Sequence, residues 1–175
     1  MDHVEIRPAA PADLNAVHAL VERAYRGAES RRGWTHEDDL LAGARMPADV
    51  LEASLGEPLQ RILLAEADGT LRGCVQVTDK GGGTAHLGLL SVDPECQARG
   101  LGRALIAAAE AEAADAFAAS RMQMTVIHQR PELVAWYERR GYRRTGESEP
   151  YPYGDDRFGR PLRDGMRFVI LEKAL

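Results

Sequence analysis

The chain has 175 residues, 45% hydrophobic and 28% charged, with 27 acids against 22 bases for a net charge of −5. This length and composition fit one soluble globular domain over residues 1–175 with a real core, not a disordered or fibrous chain. The acidic balance gives no general attraction for nucleic acid, which sets DNA and RNA binding aside, and it is mildly compatible with an amine substrate.

Val4 to Arg7 reads as a first strand stopped by Pro8. Pro11 and Asp13 open a helix on which Leu14, Val17, His18 and Val21 share a face. Arg26 to Gly33 reads as a loop. Thr35 can cap a second helix, with the acids of His36–Asp39 in its first turn, where they suit the helix dipole. Pro47 starts a further helical piece to about Leu55. Leu59–Ala67 and Leu71–Asp79 are strands joined at Asp68-Gly69, a hairpin signal. Gly81–Gly83 turns the chain into a third strand, Ala85–Val92. Gly100–Ala119 is the longest helix, Met122–His128 a strand, and Pro131–Arg140 a helix with Gly141 beyond its end. Gly146–Asp164 is a long irregular segment, and Met166–Glu172 a final strand.

Two cysteines are present, neither in a Cys-x-x-Cys or Cys/His cluster, so structural zinc and other metals are not expected. Cys74 reads as buried and Cys96 as accessible. The first residues show no basic region followed by an apolar run. No leader or membrane span is therefore expected, and a reducing cytoplasm is the simplest setting.

The most informative stretch is Leu89-Leu90-Ser91-Val92-Asp93-Pro94-Glu95-Cys96-Gln97-Ala98-Arg99-Gly100-Leu101-Gly102-Arg103. A strand runs into a turn, and two glycines open a long helix. Such a helix start carries unpaired N–H groups and partial positive charge, which suits a phosphate. Gly100 and Gly102 would let the backbone approach a ligand. Arg99 and Arg103 sit where the dipole disfavours them, a conflict that a polyphosphate relieves. The bland alternative is a plain glycine turn. A dinucleotide fingerprint would need Gly-x-Gly-x-x-Gly at a first βα turn, and a P-loop would need Gly-Lys-Ser/Thr; neither is present.

The Gln97-x-x-Gly100-x-Gly102 pattern resembles the acyl-CoA signature of the GNAT family of N-acetyltransferases, and the element order β-α-α-β-β-β-α-β-α-β-β agrees along the chain. The resemblance implies an α/β (α+β) fold with a mixed, mostly antiparallel sheet, helices on both faces, and parallel strands 85–92 and 122–128 that splay apart around acetyl-CoA. It further implies that Leu90, Ser91 and Val92 pair with the pantetheine arm and that amides of Ala98, Arg99, Gly100, Leu101, Gly102 and Arg103 hold the pyrophosphate. Many members carry asparagine where this chain has Arg130, which here either reaches a CoA phosphate or lies on the surface.

Acetyl transfer to an amine needs a neutral amine, a stabilised oxyanion and a protonated leaving thiolate. In the family the amine attacks directly in a ternary complex. The run Trp136-Tyr137-Glu138-Arg139-Arg140-Gly141-Tyr142 resembles the family helix whose tyrosine faces the thioester sulfur, which makes Tyr137 the candidate acid; simple aromatic packing is the alternative. His86 is the candidate base, placed where histone-type members carry a glutamate, and period two puts it on one face with Gly88, Leu90 and Val92. A histidine simply hydrogen-bonded in place is the alternative. His128 is a second candidate base or a substrate contact.

For the acceptor, Trp34, Glu37, Tyr151, Tyr153 and Phe158 are candidate pocket residues. The acids at 37–39 either attract an ammonium or merely begin a helix. Arg157, Arg160 and Arg163 add positive charge, so the 146–164 segment suits a small zwitterion or is a solvated loop. The expected function is acetyl-CoA-dependent N-acetylation of a primary amine, probed against two others: an acyl-CoA sensor without catalysis, and transfer to protein N-termini or lysines. No membrane partner is expected, and a homodimer is compatible with the sequence.

Overall fold

The computed structural model describes residues 4–175; Met1–His3, where the leader reading begins, and the Phe158 side chain lie outside the described residues. In chain order the elements are β1 (Val4–Pro8), α1 (Leu14–Tyr25), α2 (Gly27–Ser30), β2 (Leu41–Ala42), α3 (Ala48–Gly56), β3 (Gln60–Ala67), β4 (Thr70–Asp79) and β5 (Thr84–Val92). Then come α4 (Leu101–Phe117), β6 (Arg121–Ile127), α5 (Pro131–Glu138), β7 (Arg143–Pro150), β8 (Arg160–Pro161) and β9 (Arg167–Ala174). Seven strands form one sheet in the order β1-β3-β4-β5-β6-β9-β7, and β2 pairs separately with β8. Every pairing is antiparallel except β5 with β6.

Local chemistry accounts for most of this. Asp68 and Gly69 both take positive φ, the type I′ requirement for a tight β3–β4 hairpin. Helix α4 buries Leu101, Leu105, Ala109 and Ala113, one residue per turn, against the sheet. Its close approach uses Gly73 on β4, where a Cβ would stand 2.8 Å from Leu105 and 3.1 Å from the Ser91 carbonyl. Helices α1 and α3 cover the other face, with Val17, Leu20, Val21 and Leu51 packed on Ile62, Leu64 and Cys74. Each such aliphatic side chain contributes roughly 1.5–3 kcal/mol on burial.

Several expectations fail. Arg26 to Gly33 is not loop throughout, because α2 occupies Gly27–Ser30. No helix follows Thr35: residues 35–40 form a turn that leads into β2, which pairs with β8 and joins this loop to the late segment. That late segment is not structureless, because β7 runs antiparallel to β9. All eight residues of β7 are exposed, so it lacks the apolar alternation that marks a half-buried strand. Cys96 is buried rather than accessible; it and Cys74 are free thiols. Burial pushes the Cys74 thiol up to about 12, which keeps it protonated and inert.

The feature that positions the site is the separation of β5 from β6. They pair only at Thr84–His86 with Arg121–Gln123. Beyond that point β5 bulges: Cys74 and Gln76 on β4 face Ser91 and Gly88, which leaves one extra residue on β5, and Leu89 takes φ 52°. The bulge is held by the Ser91 hydroxyl, which donates to the Leu89 carbonyl at 3.1 Å, and by the Tyr25 hydroxyl, which donates to the Leu90 carbonyl. It also breaks the expected single face. Leu87 packs on the α4 side, Leu89 on the α1 side, and Leu90 and Val92 on the α4 side again, so His86 and Gly88 do not share a face with Leu90 and Val92.

Candidate active site

Two cavities open where the strands part. The larger, about 440 Å³, lies between the end of β5, the start of α4, helix α5 and the Trp34–Thr35 loop. The turn that feeds it is fixed by Asp93, which is buried, receives Arg23 and Arg72 at 3.0 Å each, and caps the Glu95 N–H at 3.1 Å. Burial works against the Asp93 carboxylate, but these donors outweigh it and hold its pKa below the ordinary value. Ala98 and Gly100 then take φ 64° and 86°, and α4 starts without a side-chain cap. Its first N–H groups therefore have no helical partner.

The two glycines differ in purpose. Gly100 meets nothing within 4 Å and serves its left-handed conformation. Gly102 is needed for packing: a Cβ there would lie 3.3 Å from the Trp136 ring. Leu101 is buried in the core, so only its backbone is left for a ligand. Gln97 lines the cavity, but its amide braces the wall, donating to the Val92 carbonyl at 3.3 Å and accepting from the Trp34 N–H at 2.9 Å.

The cavity is strongly cationic. Arg99, Arg103 and Arg140 all line it. Arg140 lies 3.3 Å over the Trp136 ring, and its buried Nε has no hydrogen-bond partner among the described residues. Burial, together with neighbouring Arg139 and Arg103, lowers its pKa from the usual arginine value. Clustered guanidinium groups beside a bare helix start suit a polyanion. Sequence reasoning missed Arg140, which sits beyond the recognised tyrosine with no spacing to single it out.

The second cavity, about 280 Å³, lies on the other side of the same gap, under Tyr151 and Pro152. Tyr25, Leu90, Arg130, Leu133 and Tyr137 line both cavities. Tyr137 thus stands at their common wall. It is buried, edge-on to Trp136 at 5.0 Å and to Tyr142 at 6.0 Å. Burial raises its pKa well above the ordinary tyrosine value, so it stays protonated. No hydrogen bond from another described residue engages its hydroxyl. His86 lines the second cavity beside the bare Gly88. Burial, and then Lys80, lowers its pKa below 6.5, so it is neutral at pH 7.

Glu37 also lines this cavity, but inside a buried ion cluster. It accepts from Arg26 at 2.9 Å and Arg130 at 2.8 Å, with Arg45 at 3.7 Å. Burial opposes its ionisation, yet these three arginines keep its pKa below normal. Neither earlier reading of the acids holds for it: it begins no helix and is already neutralised by cations. Arg130 is correspondingly not on the surface; it is buried and bonded to Glu37 and to the Thr35 hydroxyl. Asp38 pairs with Arg31 and His36 instead.

The remaining candidates divide. Tyr151 lines the second cavity and donates to the Gly159 carbonyl at 3.0 Å. Trp34 lines the first cavity, not the second, 6.0 Å from Trp136. Tyr153 lines neither; its hydroxyl donates to Arg163 and accepts from the Met166 N–H, both at 2.8 Å, which pins the late segment. His128 also lines neither cavity and accepts from Arg167 at 3.3 Å. The late arginines stand outside as well, with Arg157 on Asp155 and Arg163 3.6 Å from Asp39.

A family model described as the acetyltransferase (GNAT) domain matches residues 37–152. The chain belongs to the GNAT acetyltransferase family. Solved structures agree on the fold. A GNAT-family acetyltransferase from Streptococcus pneumoniae superposes with a TM-score of 0.69 at 20% identity, covering 99% of this chain and 100% of that one. The ribosomal-protein-S18-alanine N-acetyltransferase of Escherichia coli gives 0.71 at 18% identity, covering 98% and 94%. A variant of the spermidine N-acetyltransferase SpeG from Vibrio cholerae gives 0.71 at 17% identity, covering 99% and 95%. No curated protein matches significantly in sequence. No helix among the described residues is long and apolar enough to cross a membrane.

Proposed function

We propose that this GNAT acetyltransferase transfers an acetyl group from acetyl-CoA to the amine of a small molecule. The observation that carries the reading is the shared wall: Tyr137 and the β5 bulge stand between a cationic cleft and a separate pocket that holds His86. The cleft fits a CoA-type ligand on three counts: a β5 edge that β6 leaves beyond His86, a bare helix start at Gly100–Arg103, and the Nε of Arg140 with no hydrogen-bond partner among the described residues.

In this reading acetyl-CoA supplies an acetyl thioester. The β5 backbone at Leu90–Val92 aligns the pantetheine arm as an added strand would. Amides from Ala98 to Arg103, with Arg99, Arg103 and Arg140, hold the phosphates. Arg130 supports that wall through Thr35 and Glu37 rather than by reaching for a phosphate. Neutral His86 takes a proton from the acceptor ammonium, directly or through water, and the free amine forms its C–N bond at the acetyl carbonyl. Tyr137, kept protonated by burial, donates to the sulfur as the C–S bond breaks and is reprotonated by the proton that the new amide nitrogen gives up. The limited volume of the second pocket and its cover by Tyr151 and Pro152 favour a small acceptor over a folded protein.

The test pairs calorimetric titration of CoA with a thiol-release assay across an amine panel. Micromolar CoA binding with release that depends on an amine is expected. Binding without release to any amine or to N-terminal and lysine peptides would reduce the protein to a sensor; release with peptides alone would move the acceptor class.

A further inference from the structure

The second cavity carries a charge imbalance of its own. Glu37, Arg45 and Arg130 are the ionised side chains among its lining residues, and His86 is neutral. Beyond the lining, Glu132 in the first turn of α5 lies 3.8 Å from the Arg130 Nε but does not line the cavity. The end of α1 supplies Tyr25, β5 His86, the start of α5 Arg130, the late segment Tyr151, and β9 Phe168. Glu22, a further carboxylate that acts on Arg45, accepts the backbone N–H groups of Arg45 and Met46 at 2.8–2.9 Å and does not line the cavity. The one lining acid is already shared by three arginines. The cavity is thus net positive in a chain whose overall charge is −5.

Two guanidinium groups there have unused donors. The Arg45 guanidinium makes no hydrogen bond with any described residue; it lies 4.9 Å over the Tyr25 ring and 3.7 Å from Glu37, and its Nε is buried. Arg130 gives two nitrogens to Glu37 and Thr35, and its buried Nε, 3.8 Å from Glu132, makes no hydrogen bond with a described residue. Buried guanidinium donors are costly to leave unpaired, and an arginine steadied on an aromatic face is suited to a bidentate carboxylate. A polyamine would meet two cations and no free acid.

We propose that the acceptor is an amino carboxylic acid, its carboxylate bound by Arg45 at the Arg130 side of the cavity and its amine directed to His86 and Tyr137. This rests on the acetyltransferase reading above and narrows its substrate class. Arg45 is then the residue that sets specificity, while the late-segment arginines suggested by the sequence take no part.

The experiment compares matched acceptors with the full chain and acetyl-CoA in the thiol-release assay: the common amino acids and short ω-amino acids, their carboxamides, the amines lacking the carboxyl group, and spermidine. For the preferred acceptor, kcat/KM is expected to exceed that of its carboxamide by roughly tenfold or more. In Arg45→Gln this ratio should fall towards one through KM, and Arg45→Lys should restore part of it. A wild-type preference for the carboxamide, the simple amine or spermidine overturns the inference and leaves the transferase reading standing. An acid preference that persists in Arg45→Gln overturns the assignment to Arg45. Absence of transfer to every amine, with CoA still bound, overturns the transferase reading itself.

Discussion

At the scale of single residues, the two proposed catalytic groups need opposite protonation states, which one physical cause supplies. Burial disfavours charge, so it keeps Tyr137 protonated and His86 neutral. Tyr137→Phe retains the ring contacts with Trp136 and Tyr142 and removes only the hydroxyl. It should lower kcat by about 10²–10⁴-fold with CoA affinity nearly unchanged by calorimetry; full turnover in this variant would remove Tyr137 from the chemistry. For His86 the sign is set by its lowered pKa. The free base persists as pH drops below 6.5 and is lost only on passing the folded value, so the acid limb of kcat/KM should fall below pH 6.5. His86→Gln should flatten that limb, and a limb that stays in place assigns it to another group. Both residues were legible because a motif at fixed spacing pointed to them. Arg45 and Arg140 were not: arginines are common on any surface, and only folding brings their unpartnered donors into cavities.

At the scale of elements, the strand–turn–helix from β5 to α4 was read closely, since its glycines, its proline and its apolar run all act locally. The bulge at Leu89 was not. It requires a partner strand to be counted against, so the expected face of His86, Gly88, Leu90 and Val92 did not survive it. The turn before α4 makes its own demand at Gly100, where φ 86° strains any side chain. Gly100→Val should distort the helix start and weaken CoA binding by about tenfold, near 1.4 kcal/mol, while far-UV circular dichroism stays native. Unaltered affinity would count against a phosphate site at this turn. Helix α3 and the β3–β4 hairpin matched their sequence signals, whereas the 35–46 segment followed tertiary pairing with β8 rather than its cap-like Thr35.

At the scale of the whole molecule, Glu37 joins separate parts of the fold, with Arg26 at the end of α1, Arg45 between β2 and α3, and Arg130 at the start of α5. Removing one member of a buried ion cluster strands the others. Glu37→Gln should therefore cost about 3–5 kcal/mol in urea unfolding; a loss below 1 kcal/mol would show that solvent already screens the cluster. Because the Glu37 pKa is lowered, its contribution is present above the unfolded value of 4.5 and is lost as pH falls through the folded one. The alternating runs, the hairpin and the glycine turn, hence the family resemblance, were legible in the sequence alone, because these depend on neighbours a few residues apart. The tertiary structure alone decided that β5 and β6 part after His86 and Gln123, that Tyr137 stands between two cavities, and that the lining of the second cavity is net positive. Those properties come from side chains far apart in the chain, such as Arg130 and Glu37 at 93 positions, and no local pattern encodes which of them will meet.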